Sequence, residues 1–169
     1  MIRPRVSNKF DFEGEIAVII GKSGRAIPKD KAYEHVADYI CSNDGSIRDY
    51  QRQTTQFWGG KNFDRFGSMG PWMVTPEELG DPTESTLVTR LNGEVVQETS
   101  VGDIASGIPG LISYIPTVTE LVPGDIIATG TPSGVGTFRD PQLLMKSGGR
   151  IEVEITGIGT LQNSIADEA

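Results

Sequence analysis

Glycine and proline punctuate this chain so often, at 21 and 10 positions of 169, that long uninterrupted helices have little room. Proline removes a backbone donor and glycine lowers helix propensity, so short strands joined by turns are the expected architecture. The clearest strand is residues 10–20, in which Phe10, Phe12, Ile16, Val18 and Ile20 alternate with other residues and so share one face. Residues 85–91 followed by Asn92-Gly93 and 94–98 predict a hairpin. Residues 125–129 read as a buried strand, and 150–156 as an alternating strand that closes the sheet. Pro28 with Lys29-Asp30 predicts the start of a short helix in which Ala32, Val36 and Ile40 recur at spacings of four. Residues 46–60 read as a polar loop, 70–76 as a rigid extended piece and 111–115 as a short apolar segment open to helix.

The length suits one domain over 1–169, and 37% hydrophobic residues can supply its core. No repeat or linker marks a second domain. A net charge of -8 argues against nucleic acid or an anionic membrane surface as partner, since both select clustered Lys and Arg. No apolar run approaches the roughly 20 residues that cross a bilayer, and the N-terminus lacks a signal-peptide stretch, so the expected location is cytoplasmic. The single cysteine, Cys41, excludes an internal disulfide and is expected to be a small buried residue.

Two features carry chemistry. Glu13 and Glu15, two apart on the first strand, project the same way. Carboxylates drawn out of water need a cation, and hard divalent ions favour oxygen ligands, although a solvated strand face has the same spacing. Glu152 and Glu154 repeat the pattern in 150–156 and are assigned to solvent. The loop 129–136 (TGTPSGVG), directly after a strand, brings backbone N–H groups and the Thr131 and Ser133 hydroxyls within reach of an anion. It lacks the lysine of a P-loop and the glycine spacing of a dinucleotide site, so a small carboxylate suits it better than ATP or NAD. Trp58 and Trp72 read as core or dimer-contact aromatics, and His35 as a structural histidine.

Taken in order, these segments resemble the fumarylacetoacetate hydrolase family. FEGE at 12–15 is similar to its acidic strand motif, NDGSIRDYQ at 43–51 to its N-D-x-S-x-R-D-x-Q loop, and KNFD at 61–64 to its K-x-F-D. GPW at 70–72, NGE at 92–94 with Gln97, PGDIIATGTPSG at 123–134 and GIGTLQN at 157–163 follow. The resemblance implies an α+β, β-rich mixed β-sandwich roll, generally a homodimer. It implies Glu13, Glu15 and Asp44 as ligands of a divalent metal, Mg²⁺ or Mn²⁺, with Arg48 and Lys61 in catalytic roles and Gln51 and Thr131 binding a small carboxylate substrate.

The implied activity is hydrolysis, isomerisation or decarboxylation of a 2-oxo or 1,3-diketo acid through a metal-stabilised enolate. Arg48 suits a two-pronged grip on a carboxylate, Lys61 counters developing negative charge and Gln51 fixes orientation. The family carries a His and a Glu on a lid upstream of the acidic strand, whereas only about a dozen residues precede Glu13 here. His35 lies after that strand and does not match the lid. The expectation is therefore an enzyme without the lid, with a catalytically impaired metal- and carboxylate-binding module or subunit as the alternative.

Overall fold

The computed structural model describes residues 1–169. Its strands, in chain order, are β1 (Ile2–Arg3), β2 (Phe10–Asp11), β3 (Gly14–Ile20), β4 (Val36–Asn43), β5 (Ser46–Ile47) and β6 (Ser68–Val74). They continue with β7 (Thr86–Leu91), β8 (Glu94–Ser100), β9 (Ile126–Ala128), β10 (Arg150–Ile155), β11 (Gly159–Ser164) and β12 (Ala166–Asp167). The α-helices α1 (Arg48–Gln51), α2 (Pro76–Leu79) and α3 (Gly107–Tyr114) are short, as the glycine and proline spacing demands.

Two antiparallel four-stranded sheets carry this strand-rich α+β fold, one in the order β6-β4-β3-β9 and the other β11-β10-β7-β8. Their facing sides meet in a core that includes Ile16, Val18, Tyr39, Cys41, Leu87, Val153 and Ile155. Burying each of the larger aliphatic side chains contributes about 1.5–3 kcal/mol before entropy is counted. A smaller core joins Phe10, Phe12 and Ile47 to Leu91, Val96, Met145, Ile151 and Ile165. It sits beneath the ribbon of β2 and β5, which leads directly to the acidic residues.

Several elements differ from expectation for identifiable reasons. The first strand is divided: β2 pairs with β5, whereas β3 pairs with β4 and β9, and Phe12 and Glu13 form the joint between them. At that joint the Glu13 N–H donates to Asn43 Oδ1 (3.0 Å), and the Asp44 N–H donates to the Glu13 carbonyl (2.9 Å). The predicted helix after Pro28 is only a 3-10 stretch, Lys29–His35, and the chain then becomes β4. The spacing of Ala32, Val36 and Ile40 is overridden because Tyr39 and Cys41 alternate inward and their β-favouring neighbours fit a strand. The loop 46–60 contains β5, α1 and most of a 3-10 turn, Phe57–Lys61.

Strand β9 lies at a sheet edge with only Ile127 turned inward; Ile126 and Ala128 are exposed, so it is not a buried strand. Strand β10 does not close its sheet but runs between β11 and β7, and β11 and β8 are the edges. Glu152 and Glu154 are not free in solvent: Arg150 pairs with Glu152 at 2.8 Å and Arg90 with Glu154 at 2.6 Å. Trp58 and Trp72 are 69% and 61% exposed and belong to no core. The hairpin, in contrast, forms between β7 and β8, with Asn92 (φ 55) and Gly93 (φ 88) in the left-handed region that such a turn requires. Cys41 is buried, and His35, also buried, places Nδ1 2.8 Å from the Lys22 carbonyl oxygen, a structural role.

Cross-strand register defines the outer side of the first sheet. Met69, Ser42 and Glu15 form one row, Ile40, Ala17 and Ala128 the next, and Asp38, Ile19 and Ile126 a third. This side is largely apolar, and Met69 and Ile126 are each 48% exposed. Glu15 stands at its end.

Candidate metal centre

Three separate pieces of chain bring acidic side chains together beside that row. Glu15 leaves β3 on the side opposite Ile16, Glu13 comes from the joint before β3, and Asp44 from the turn between β4 and β5. One carboxylate oxygen from each lies within 4.8 Å of the other two. The pairing of Glu13 with Glu15 thus does not come from a continuous strand; the bend at Glu13 and the Asp44 turn create it.

Glu15 is 2% exposed, and its Oε2 accepts a hydrogen bond from the Gly130 N–H at 3.0 Å. Burial pushes its carboxyl up to about 7, against the pull of that N–H and with the further push of the Asp44 and Glu13 charges. No lysine or arginine forms an ion pair with it, and the two nearby cations are spent on its neighbours. Lys61 Nζ lies 2.7 Å from Glu13 Oε2 and 2.6 Å from Asp44 Oδ2. Arg48 donates from Nη1 to Glu13 Oε1 and to Gln51 Oε1, and from Nε to Asp11 Oδ2.

With all four ionised, Asp11, Glu13, Glu15 and Asp44 are answered by only Arg48 and Lys61, a deficit that one divalent cation would balance. The donors are all hard oxygens, and a buried carboxylate without a counter-charge is costly. The residues present fit such an ion.

Alternation along residues 10–16 puts Asp11 on the polar side of a half-buried strand. The segment is in fact buried on both sides, and Asp11 is 0% exposed. Its Oδ1 accepts the Phe12 and Gly136 N–H groups (2.9 and 2.8 Å), and its Oδ2 accepts the Thr137 N–H and Arg48 Nε (2.9 and 2.8 Å). The anions that the glycine-rich loop and the turn after it cradle are thus the chain's own: Glu15 at Gly130 and Asp11 at Gly136 and Thr137. Gln97, which the sequence marks only as part of the family resemblance, has a structural role here. From β8 its Oε1 accepts the Gly14 N–H (3.0 Å), while Nε2 donates to Thr131 Oγ1 (2.9 Å) and to the Pro132 carbonyl (3.0 Å). A single buried glutamine ties the acidic strand to the loop.

The remaining predicted residues divide between two spaces. Arg48 and Gln51 lie on α1, and Lys61 at the end of the adjoining 3-10 turn, so all three stand with the acidic group. A cleft of about 680 Å³ opens beside Asp44, lined in part by Asn62, Phe63, Phe66 and Met69. Thr131 instead lines a smaller cavity of about 240 Å³ with Ile16, Leu87 and Val101. Its hydroxyl donates to the Gly14 carbonyl at 3.0 Å.

Residues 1–166 match the family model for the C-terminal region of fumarylacetoacetate (FAA) hydrolase. The chain belongs to the fumarylacetoacetate hydrolase family. Within it, the oxaloacetate tautomerase YisK of Bacillus subtilis is 44% identical over 160 residues, covering 95% of this chain and 53% of that protein. The fumarylacetoacetate hydrolase of Exiguobacterium antarcticum superposes with a TM-score of 0.93 at 38% identity, covering 99% of this chain and 61% of the other. The fumarylpyruvate hydrolase of Pseudomonas aeruginosa, solved with Mn²⁺ and pyruvate, superposes with a TM-score of 0.90 at 30% identity, covering 99% and 70%. This chain spans about half the length of the curated relatives it matches. Members of the family act on small acids as tautomerases, isomerases and hydrolases. In this chain no helix is long and apolar enough to cross a membrane.

Proposed function

We propose that Glu13, Glu15 and Asp44 hold a divalent cation, Mg²⁺ or Mn²⁺, and that the site acts on a small 2-oxo or 1,3-diketo acid. The observation that carries this reading is Glu15, a buried carboxylate with no ion-pair partner, converging with two others. The cation, when bound, supplies Lewis-acid stabilisation of the negative charge that develops as the substrate enolises, worth several kcal/mol of barrier. The side chains supply the rest. Lys61 presents its ammonium at the edge of the acidic group, placed to counter an anionic substrate. Gln51 gives its Oε1 to Arg48 and so presents its amide nitrogen as the donor that orients a bound acid. Arg48 fixes Glu13, and Thr131, through Gly14, holds the strand between the two glutamates.

Keto–enol interconversion of oxaloacetate, hydrolytic carbon–carbon cleavage of an acylpyruvate (after water adds to the distal carbonyl), and decarboxylation of a β-oxo acid each pass through an enolate whose charge sits on the 2-oxo oxygen, so they are the reactions to assay. Following the enol absorbance of oxaloacetate and of acylpyruvates, with Mg²⁺ or Mn²⁺ and with a chelator, tests the reading. Metal-dependent turnover that Glu15→Gln abolishes is the expected result; turnover indifferent to both sinks it.

A second reading, a binding module that needs a further segment or subunit for proton transfer, is favoured by one observation. His35, the only imidazole, is committed to the Lys22 carbonyl and stands on a different stretch of chain from the acidic group. Stabilisation by metal and pyruvate with no product formed would select it. In either case we propose a second copy of this chain as the partner of the outer side of the first sheet, supported by its apolar middle row and by the exposed Met69 and Ile126 beside it.

A further inference from the structure

Both oxygens of Glu13 are claimed by cations, and the two claims differ in kind. On Oε1 sits Arg48, whose side chain is 6% exposed and whose Nε is bound to Asp11. Asp11 is in turn immobilised by three backbone N–H groups from Phe12, Gly136 and Thr137. On Oε2 sits Lys61, 19% exposed, a compact ammonium on a flexible four-carbon stem that simultaneously holds Asp44 Oδ2. One claim is a clamp built into the core; the other is made by a single flexible side chain at its edge.

We propose that Lys61 is a built-in competitor for the divalent cation. Its ammonium neutralises Glu13 and Asp44 and must release Oε2 and Oδ2 before an ion takes them, while Arg48, pinned by Asp11, keeps Glu13 in place throughout. The inference rests on the metal-binding reading above and adds a coupling to it. A divalent ion and an ammonium repel at these distances, so loading the ion and freeing Lys61 for an anionic ligand are a single event. The arrangement also gives the acidic cluster a counter-charge in the absence of metal, which lowers the repulsion among carboxylates packed so closely.

The experiment is titration of the whole chain with MnCl₂, reading free Mn²⁺ by electron paramagnetic resonance and heat by calorimetry, with circular dichroism to confirm folding. The wild type, Lys61→Met, Lys61→Gln, Lys61→Arg and Asp11→Asn are compared. Lys61→Met and, as a second neutral form, Lys61→Gln remove the competitor and are expected to bind Mn²⁺ about tenfold more tightly than wild type. Lys61→Arg, which keeps the charge, shows no such gain. Asp11→Asn, which loosens the clamp, binds Mn²⁺ more weakly. Unchanged or weaker binding in both neutral Lys61 variants overturns the competitor role while leaving the metal site standing. Unchanged binding in a folded Asp11→Asn overturns the clamp. Absence of binding in every form removes the metal site itself, whereas binding in the neutral variants alone supports the competition in its strongest form.

Discussion

Gly14 backs onto Thr89 so closely that a Cβ at residue 14 would stand 2.0 Å from Thr89 Oγ1. The two belong to different sheets, Gly14 to β3 and Thr89 to β7, so this contact sets the distance between the sheets at the point where the two glutamates emerge. Any side chain here pushes β3 away from β7 and carries Glu13 and Glu15 with it. A backbone contact in the core thereby governs the geometry of a site on the far side of the strand.

Gly14→Ala is accordingly expected to destabilise the fold by about 1–3 kcal/mol, the usual cost of overpacking a close-packed interior. It should also weaken Mn²⁺ binding, because the Gly14 N–H and carbonyl anchor Gln97 and Thr131. Thermal unfolding with and without MnCl₂ checks both effects. A variant as stable and as metal-responsive as wild type contradicts the packing account.

The Thr89 hydroxyl is fully buried and has no hydrogen-bond partner. An unsatisfied buried hydroxyl costs about 1–3 kcal/mol, and replacing it by a methyl of nearly the same shape recovers part of that. Thr89→Val should therefore raise stability by about 1 kcal/mol in chemical denaturation, with Mn²⁺ affinity unaltered.

Burial pushes the Cys41 thiol up to about 11. A thiol whose ionisation is suppressed in the folded state but not in the unfolded chain stabilises the fold fully below the ordinary thiol value, near 9. That contribution is lost as pH climbs from there toward 11. Two results follow for an aromatic disulfide reagent: at pH 8 the native protein stays unlabelled while the denatured chain reacts at once, and the melting temperature declines above pH 9. Rapid native labelling at pH 8 would place Cys41 outside the core.

The sequence is most informative where a residue type answers a local demand. Asn92-Gly93 specifies its hairpin because both positions need the left-handed region, and the ordered motifs identify the family together with its strand-rich fold. It is least informative where tertiary pairing decides. Val36 and Ile40 fit a helical spacing and a strand equally well, and only pairing of β4 with β3 and β6 resolves the ambiguity. Alternation assigns Asp11 to a polar face, yet the ribbon of β2 and β5 and the turn at Gly136 bury it. Nothing in the order of residues 10–16 announces a carboxylate with four donors. The glycine-rich loop was legible as an anion cradle, but that its anions are Glu15 and Asp11 follows only from three-dimensional placement.

Glu152 and Glu154 test whether geometry or mere spacing makes an acidic pair. Each has its own arginine, Arg150 and Arg90, and no third carboxylate joins them, so they have no unmet need for a cation. Glu15 has such a need. At a hundredfold excess of Mn²⁺ over Kd, mass action stabilises a binding-competent fold by about 2.7 kcal/mol, or a rise in Tm of at least about 5 °C for a chain of this size. Wild type and the double variant Glu152→Gln/Glu154→Gln should both show that rise, and Glu15→Gln should lose it. A loss in the double variant would move the metal to β10.

The outer side of the first sheet yields the last prediction. Ile126 and Met69 are half exposed at opposite edges, and Ile40, Ala17 and Ala128 lie between them without a polar side chain. A stable interface buries at least about 1,000 Å² in total, and a sheet face meeting its own copy around a twofold axis provides a self-complementary way to do so. Net charge of -8 on each copy opposes the encounter, and salt screens that repulsion, so dimerisation should strengthen from 50 to 300 mM NaCl. Light scattering after gel filtration is expected to give the mass of two chains. Ile126→Asp, which puts a charge on the shared face, should give one chain without loss of secondary structure. Val95→Asp, at an exposed apolar residue of β8 on the other sheet, should leave the dimer intact. A wild-type monomer at all salt concentrations, or equal disruption by both substitutions, would rule out this face as the contact between copies.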